Sequence, residues 1–132
     1  MLKNFYIETF GCQMNRSDSD LMAVSLLEHG FHRVGKLSGA DIAIFNTCSV
    51  RQHAEDRVIA RILSTRGPVK KRGGIVVVAG CMAQRMGEQL LEEGVADMVI
   101  GPYESPGIGR ILREYMEGDR ATSFLSQEAS DF

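Results

Sequence analysis

Residues 74–80 read GIVVVAG, an uninterrupted apolar run between glycines. A strand with one wet face alternates apolar and polar residues, so a strand with no polar position is covered on both faces, as in the interior of a parallel sheet. Behind it Met86, Leu90 and Leu91 fall at helical spacing, and that helix closes near Gly94. A buried strand feeding a helix is half of a βαβ unit, and the same alternation recurs outward in both directions. Upstream, DIAIFN over 41–46 reads as a strand, followed by a helix on which Ala54, Val58 and Ile62 repeat every four residues, with Ile59 and Leu63 widening the stripe and Gly67-Pro68 ending it. Still earlier, FYIETF over 5–10 is a strand ahead of a helix over about 16–29, whose apolar stripe is Leu21, Val24 and Leu27. Gly30 then suits the left-handed C′ position, and residues 31–34 form a weak strand that belongs at a sheet edge. Downstream, ADMVIG over 96–101 is a fifth strand. Ser105-Pro106 reads as a cap followed by proline at the first helical position, with Ile108, Ile111, Leu112 and Tyr115 facing inward.

Five strands alternating with four helices predict an α/β fold: an open five-stranded parallel sheet, flavodoxin/Rossmann-like, with strand order 2-1-3-4-5 and helices on both faces. From about Gly118 the chain turns polar and aperiodic, so residues 1–118 are expected to form one domain and 119–132 a linker or tail.

Fifteen Lys and Arg against seventeen Asp and Glu give a net charge of −2, which excludes a domain that grips a nucleic-acid backbone by charge excess alone. No run approaches the length of a signal peptide or membrane span, so a cytoplasmic protein with no membrane partner is expected. In that reducing compartment three cysteines are better read as working thiolates or small buried residues than as a disulfide framework.

The three are Cys12 in TFGC, Cys48 in FNTC and Cys81 in VAGC, 36 and 33 residues apart. Each follows one of the predicted strands 1, 3 and 4, which are neighbours in the proposed order. The sheet would therefore bring all three to its carboxyl edge, where open α/β sheets bind ligands. Thiolates suit zinc or an iron–sulfur cluster. A structural zinc site usually draws on close C-x-x-C pairs, and none exists here, so zinc ranks second. Three thiolates on a cubane cluster leave one iron without a protein ligand, an arrangement that suggests chemistry. The alternative, three small apolar residues each ending a strand, stays open on spacing alone.

The segments ETFGCQMNRSDSD, NTCSVRQHAEDR and VAGCMAQ resemble, in order, the three signature segments of the amino-terminal domain of the methylthiotransferase family. The resemblance spans most of residues 3–118. It implies that Cys12, Cys48 and Cys81 hold an auxiliary 4Fe–4S cluster. It also implies a longer protein, in which a radical S-adenosylmethionine domain with its own 4Fe–4S cluster covers this domain in cis and an RNA-binding domain follows, both absent from this chain. Asn46-Thr47-Cys48-Ser49-Val50-Arg51 is similar to the branch that modifies isopentenyl-adenosine beside the tRNA anticodon. The expected activity is therefore a tRNA methylthiotransferase, with tRNA as partner, S-adenosylmethionine as cofactor and this part inactive alone. Another tRNA adenosine or a ribosomal protein as substrate is the nearest alternative.

Two readings of other classes compete. A non-catalytic flavodoxin-like binding module lacks support, because there is neither a G-x-G-x-x-G nor a P-loop, and a dithiol redox protein would want a C-x-x-C. Around the cysteines, Gln13, Asn15, Asn46 and Gln84 are uncharged hydrogen-bonders suited to tuning sulfur or fixing loop backbone. Arg16, Arg51 and Arg85 follow the cysteines by four, three and four positions, where they would balance cluster charge, meet phosphate or simply be solvated; of these Arg51 is taken as a site candidate. His53 reads as a surface histidine rather than a fourth ligand. The basic run over 66–72 reads as a solvated helix-to-strand loop at the opposite edge of the sheet.

Overall fold

The computed structural model describes residues 2–11, 13–47 and 52–125. Strands β1 (Asn4–Thr9), β2 (His32–Arg33), β3 (Ile42–Thr47), β4 (Ile75–Gly80), β5 (Met98–Ile100) and β6 (Ser123–Phe124) form one sheet in the order β2-β1-β3-β4-β5-β6. Every pairing is parallel. Helices α1 (Gln13–Glu28), α2 (Gln52–Thr65), α3 (Gly67–Lys71), α4 (Cys81–Glu92) and α5 (Ile108–Met116) connect them. The parallel α/β fold and the order of its first five strands are as expected; the sheet carries a sixth strand beyond them.

Both faces of the central strands are covered, as the apolar run over 74–80 required. Ile42, Ile44, Ile75 and Val77 project into one core with Met22 and Leu26 of α1 and Ile108, Ile111 and Leu112 of α5. The alternate residues Ala43, Phe45, Val76 and Val78 project into the other, with Val58 and Ile62 of α2 and Met82 and Leu90 of α4. Gly30 ends α1 at φ +89°, as its C′ role required, and β2, two exposed residues, is the edge strand.

Four local readings are corrected. Leu21, Val24 and Leu27 are not the inward stripe of α1 but stand exposed on its outer face, while Ser19, Met22, Ala23 and Leu26 are buried. Both faces of this helix are apolar, and two of its buried positions are serines with hydrogen-bonding work, so periodicity alone selected the wrong side. Gly67-Pro68 does follow the end of α2 at Thr65, but the segment after it is not a loop: it opens α3, where proline sits in the first turn that needs no N–H donor. Most of the basic run therefore lies on a short helix, and three of its four cations are tied down at the amino edge of the sheet. Lys70 reaches Asp97 at 2.7 Å, Arg72 reaches Asp41 at 3.3 Å and Arg66 donates to the Gly94 carbonyl. Ser105 does not cap α5. A 3-10 turn over Ser105–Gly107 comes first, and the buried serine donates to the Pro102 carbonyl at 3.2 Å.

The fourth correction concerns the polar tail. Ser123 and Phe124 pair with Val99 and Ile100, anchored by Val99 N–H to Thr122 O and Gly101 N–H to Phe124 O, both 2.8 Å. Phe124 packs on one core and Leu125 on the other. This segment covers the edge of β5, which would otherwise present unpaired backbone groups. Two residues are too few to carry a strand period, so the element was invisible to patterning.

Carboxylates at the periphery tie elements together. Glu8 accepts from Arg61 in a fork, Nε to Oε2 at 2.7 Å and Nη2 to Oε1 at 2.8 Å, and from the Tyr6 hydroxyl at 3.1 Å. Arg61 is the main reason the Glu8 carboxyl titrates below the usual range. At Asp41 burial pushes upward, but the Asn4 and Lys3 backbone N–H donors, each at 3.0 Å, together with Arg72 hold the carboxyl low. Depressed folded-state pKa values mean that the unfolded chain binds more protons across the interval between the two states, so stability rises with pH there. Urea midpoints are therefore expected to fall as pH drops below about 4. Arg61→Ala, which leaves Glu8 without its fork, is expected to cost about 0.5–1 kcal/mol at pH 7 and almost nothing near pH 2, because the pair is partly exposed. An equal cost at both pH values would rule out this linkage.

Candidate functional site

The carboxyl ends of β1, β3 and β4 lie side by side. Thr9 is in register with Asn46, and Thr47 with Gly80. Gly80 ends β4 at φ +99°, and Cys81 is the first residue of α4, so strand passes to helix with no intervening loop residue. The only L-residue conformations near that φ are strained, which is why glycine stands there. A Cβ on Gly80 would run into the Thr47 carbonyl oxygen and come within 3.0 Å of Asn46 Oδ1. The glycine thus permits the close approach of β3 and β4 immediately before Cys48 and Cys81 in sequence. Cys81 itself is a free, exposed thiol at the amino-terminus of a twelve-residue helix, where unpaired N–H groups and the helix dipole favour negative charge.

Cys12 and Cys48 lie outside the described residues, as does Arg51; the backbone of Gln13, Asn15 and His53 belongs to α1 and α2, but their side chains are likewise outside. Among the described residues no group of three or more His, Cys, Asp or Glu side chains is arranged to hold a metal ion. Cys81 is thus the one proposed ligand whose position is described.

Beneath this edge runs a polar network. Asn46, 2% exposed, donates from Nδ2 to Ser19 Oγ at 2.9 Å, and Ser19 Oγ lies 2.7 Å from Thr9 Oγ1. Thr47 Oγ1 donates to the Ala79 carbonyl at 2.7 Å, and the Phe10 N–H to the Asn46 carbonyl at 2.9 Å. Fully paired networks of this kind rigidify the backbone they join. Through these bonds Asn46 ties the carboxyl ends of β1 and β3 to α1. Gln84 is half-buried with its amide oxygen against Gly101, just beyond β5. Arg16 is exposed on α1.

Arg85 is engaged within the fold. Its Nε donates to Glu55 Oε2 at 3.0 Å and its Nη2 to Glu55 Oε1, while Glu55 is only 1% exposed. Sequence reasoning passed over Glu55. The signal was present, because Glu55, Val58 and Ile62 share an inward stripe at i, i+3 and i+7, and a carboxylate on such a stripe needs a cation.

The architecture defines a parallel α/β domain that offers a thiol from the carboxyl edge of its inner strands. The chain belongs to the uncharacterized protein family UPF0004, which matches residues 4–101. Among its relatives, the tRNA-2-methylthio-N(6)-dimethylallyladenosine synthase of Thermotoga petrophila is 38% identical over 120 residues, covering 91% of this chain and 27% of that protein. Proteins of the same name from Chlorobium phaeovibrioides and Geotalea uraniireducens are 37% and 40% identical, each over 89% of this chain and 27% of their own length. The resemblance to methylthiotransferases read from the three cysteine segments is borne out by these relatives, and the chain spans about a quarter of their length. Among the described residues no helix is long and apolar enough to cross a membrane.

Proposed function

We propose that this chain is the part of a tRNA methylthiotransferase that binds an auxiliary 4Fe–4S cluster through Cys12, Cys48 and Cys81. The observation that carries the reading is the exposed Cys81 thiol at the head of α4. It directly follows a glycine paired with the residue before Cys48. The donor fits the group. An exposed cysteine sulfur is a soft donor, and cysteine sulfurs are what such clusters take. When bound, the cluster would supply an iron without a protein thiolate, open to a sulfur-bearing ligand. The chain's own residues do the rest. Gly80 allows β3 and β4 to close up, and Thr9, Ser19 and Asn46 hold the backbone at the carboxyl ends of β1 and β3.

The relatives' shared name supports a tRNA substrate of the isopentenyl-adenosine type, and their greater length supports further domains in the same polypeptide. Those domains would carry S-adenosylmethionine and a second 4Fe–4S cluster and cover this one in cis. A reducing cytoplasm would keep the thiols available.

Anaerobic reconstitution with iron and sulfide is expected to give a brown protein with about four irons per chain. Stoichiometric zinc with no uptake of iron would end this reading.

A further inference from the structure

We propose that Arg85 is a positioning residue: gripped by the buried carboxylate of Glu55, it fixes the start of α4, one turn beyond Cys81, against the first turn of α2 and so sets the direction of the Cys81 thiol. Only the carboxylate of this pair is buried, the Arg85 side chain being 55% exposed; such a pair is poor evidence of a stability device, and the best-attested use of a buried charge is to specify one arrangement among several. Here the pair joins the starts of the two helices that follow β3 and β4. Cys81 and Arg85 are four residues apart on α4 and both exposed, so they share a face of the helix. The amino-terminus of α4 gets no side-chain cap, because Gly80 has none to give. With no cap, the fork from Arg85 is a polar fastening one turn from the thiol. Glu55 stands in the first turn of α2, where the helix dipole also favours its negative charge.

The role of this geometry in holding a cluster rests on the reading of Cys81 as a ligand, but the positioning itself can be measured on the thiol alone. In the full chain carrying Cys12→Ala and Cys48→Ala, Cys81 is the one remaining thiol. Its alkylation by iodoacetamide, without metal, would be timed with Arg85→Gln, with Arg85→Lys and with the charge-free pair Glu55→Met/Arg85→Met. The last removes both members of the pair together and so keeps the test open if Arg85→Gln does not fold. Removing the fork is expected to change the rate by about threefold or more, and Arg85→Lys to bring it back most of the way, as thiol reactivity follows local charge and exposure. Rates within about twofold of one another in folded variants would overturn the proposal, since a merely stabilising pair leaves the thiol of folded molecules unchanged.

In the chain with all three cysteines, the same substitutions are expected to speed loss of iron to a chelator by about fivefold. Unchanged iron loss would overturn the part of the proposal that concerns the cluster. If the unsubstituted chain takes up no iron, the cluster reading falls, and the alkylation rates still decide whether Arg85 positions Cys81.

Discussion

Replacing Gly80 by alanine is expected to destabilise the fold by about 3–5 kcal/mol, the largest stability effect of any single methyl group at this edge of the sheet. Gly80 adopts φ +99° and ψ −162°, a region of backbone space that is essentially glycine's alone. Occupying it with an L-residue costs about 1–3 kcal/mol before any contact is considered. The added Cβ would then meet the Thr47 carbonyl oxygen, with Asn46 Oδ1 at 3.0 Å and Thr47 N at 3.1 Å. These neighbours cannot yield cheaply. Two are backbone atoms of the fully buried strand β3, and Asn46 is already bonded to Ser19. Relief requires β3 and β4 to part at their carboxyl ends, which takes with it the Thr47 Oγ1 to Ala79 O bond. Urea midpoints with an unchanged slope would report the loss directly. A destabilisation below about 1 kcal/mol would show that the strands have slack there, and that the close approach is not what the glycine serves.

How much of this was legible beforehand depended on how much chain each feature uses. The apolar run over 74–80 and DIAIFN over 41–46 became the inner strands β4 and β3 because burial on two faces leaves a mark at every position. The order of five strands followed from connection rules that need only the alternation of elements. Features that depend on one or two residues were lost. The face of α1 was misassigned because Leu21, Val24 and Leu27 outweigh Ser19 and Ser25 on any hydropathy scale. Yet Ser25 Oγ accepts the Gly109 N–H at 2.9 Å, where α5 crosses so closely that Gly109 has no space for a side chain. That contact is made by residues about eighty positions apart and has no local signature. β6 was missed for want of length. Glu55 has no local mark of its pairing, because its partner Arg85 is thirty positions away on another helix. Of the three cysteines expected at the carboxyl edge, the structure describes Cys81, directly after β4 and heading a helix rather than within a loop.

The residue next to Gly80 is expected to behave in the opposite way. Cys81→Ala should leave the urea midpoint within about 0.5 kcal/mol of the parent while abolishing the retention of iron and sulfide after anaerobic reconstitution. The thiol is exposed and reaches no core, so its removal opens no cavity. Alanine is the best helix former and is at no disadvantage at the first position of α4. Nothing that holds the sheet together passes through this side chain; the covering of β4 comes from Met82, Ala83 and Leu90 on the inner face of the same helix. The ligand role is another matter. A cluster already one thiolate short of full ligation would be left on two, with two irons lacking a protein donor. Bound iron is accordingly expected to drop more than about tenfold, beyond what loss of a supporting hydrogen bond produces. Full iron content in the Cys81→Ala chain would remove Cys81 from the ligand set. Global unfolding would instead make it a structural cysteine, and a folded chain with no iron would separate, at adjacent residues, the glycine that shapes the edge from the thiol that uses it.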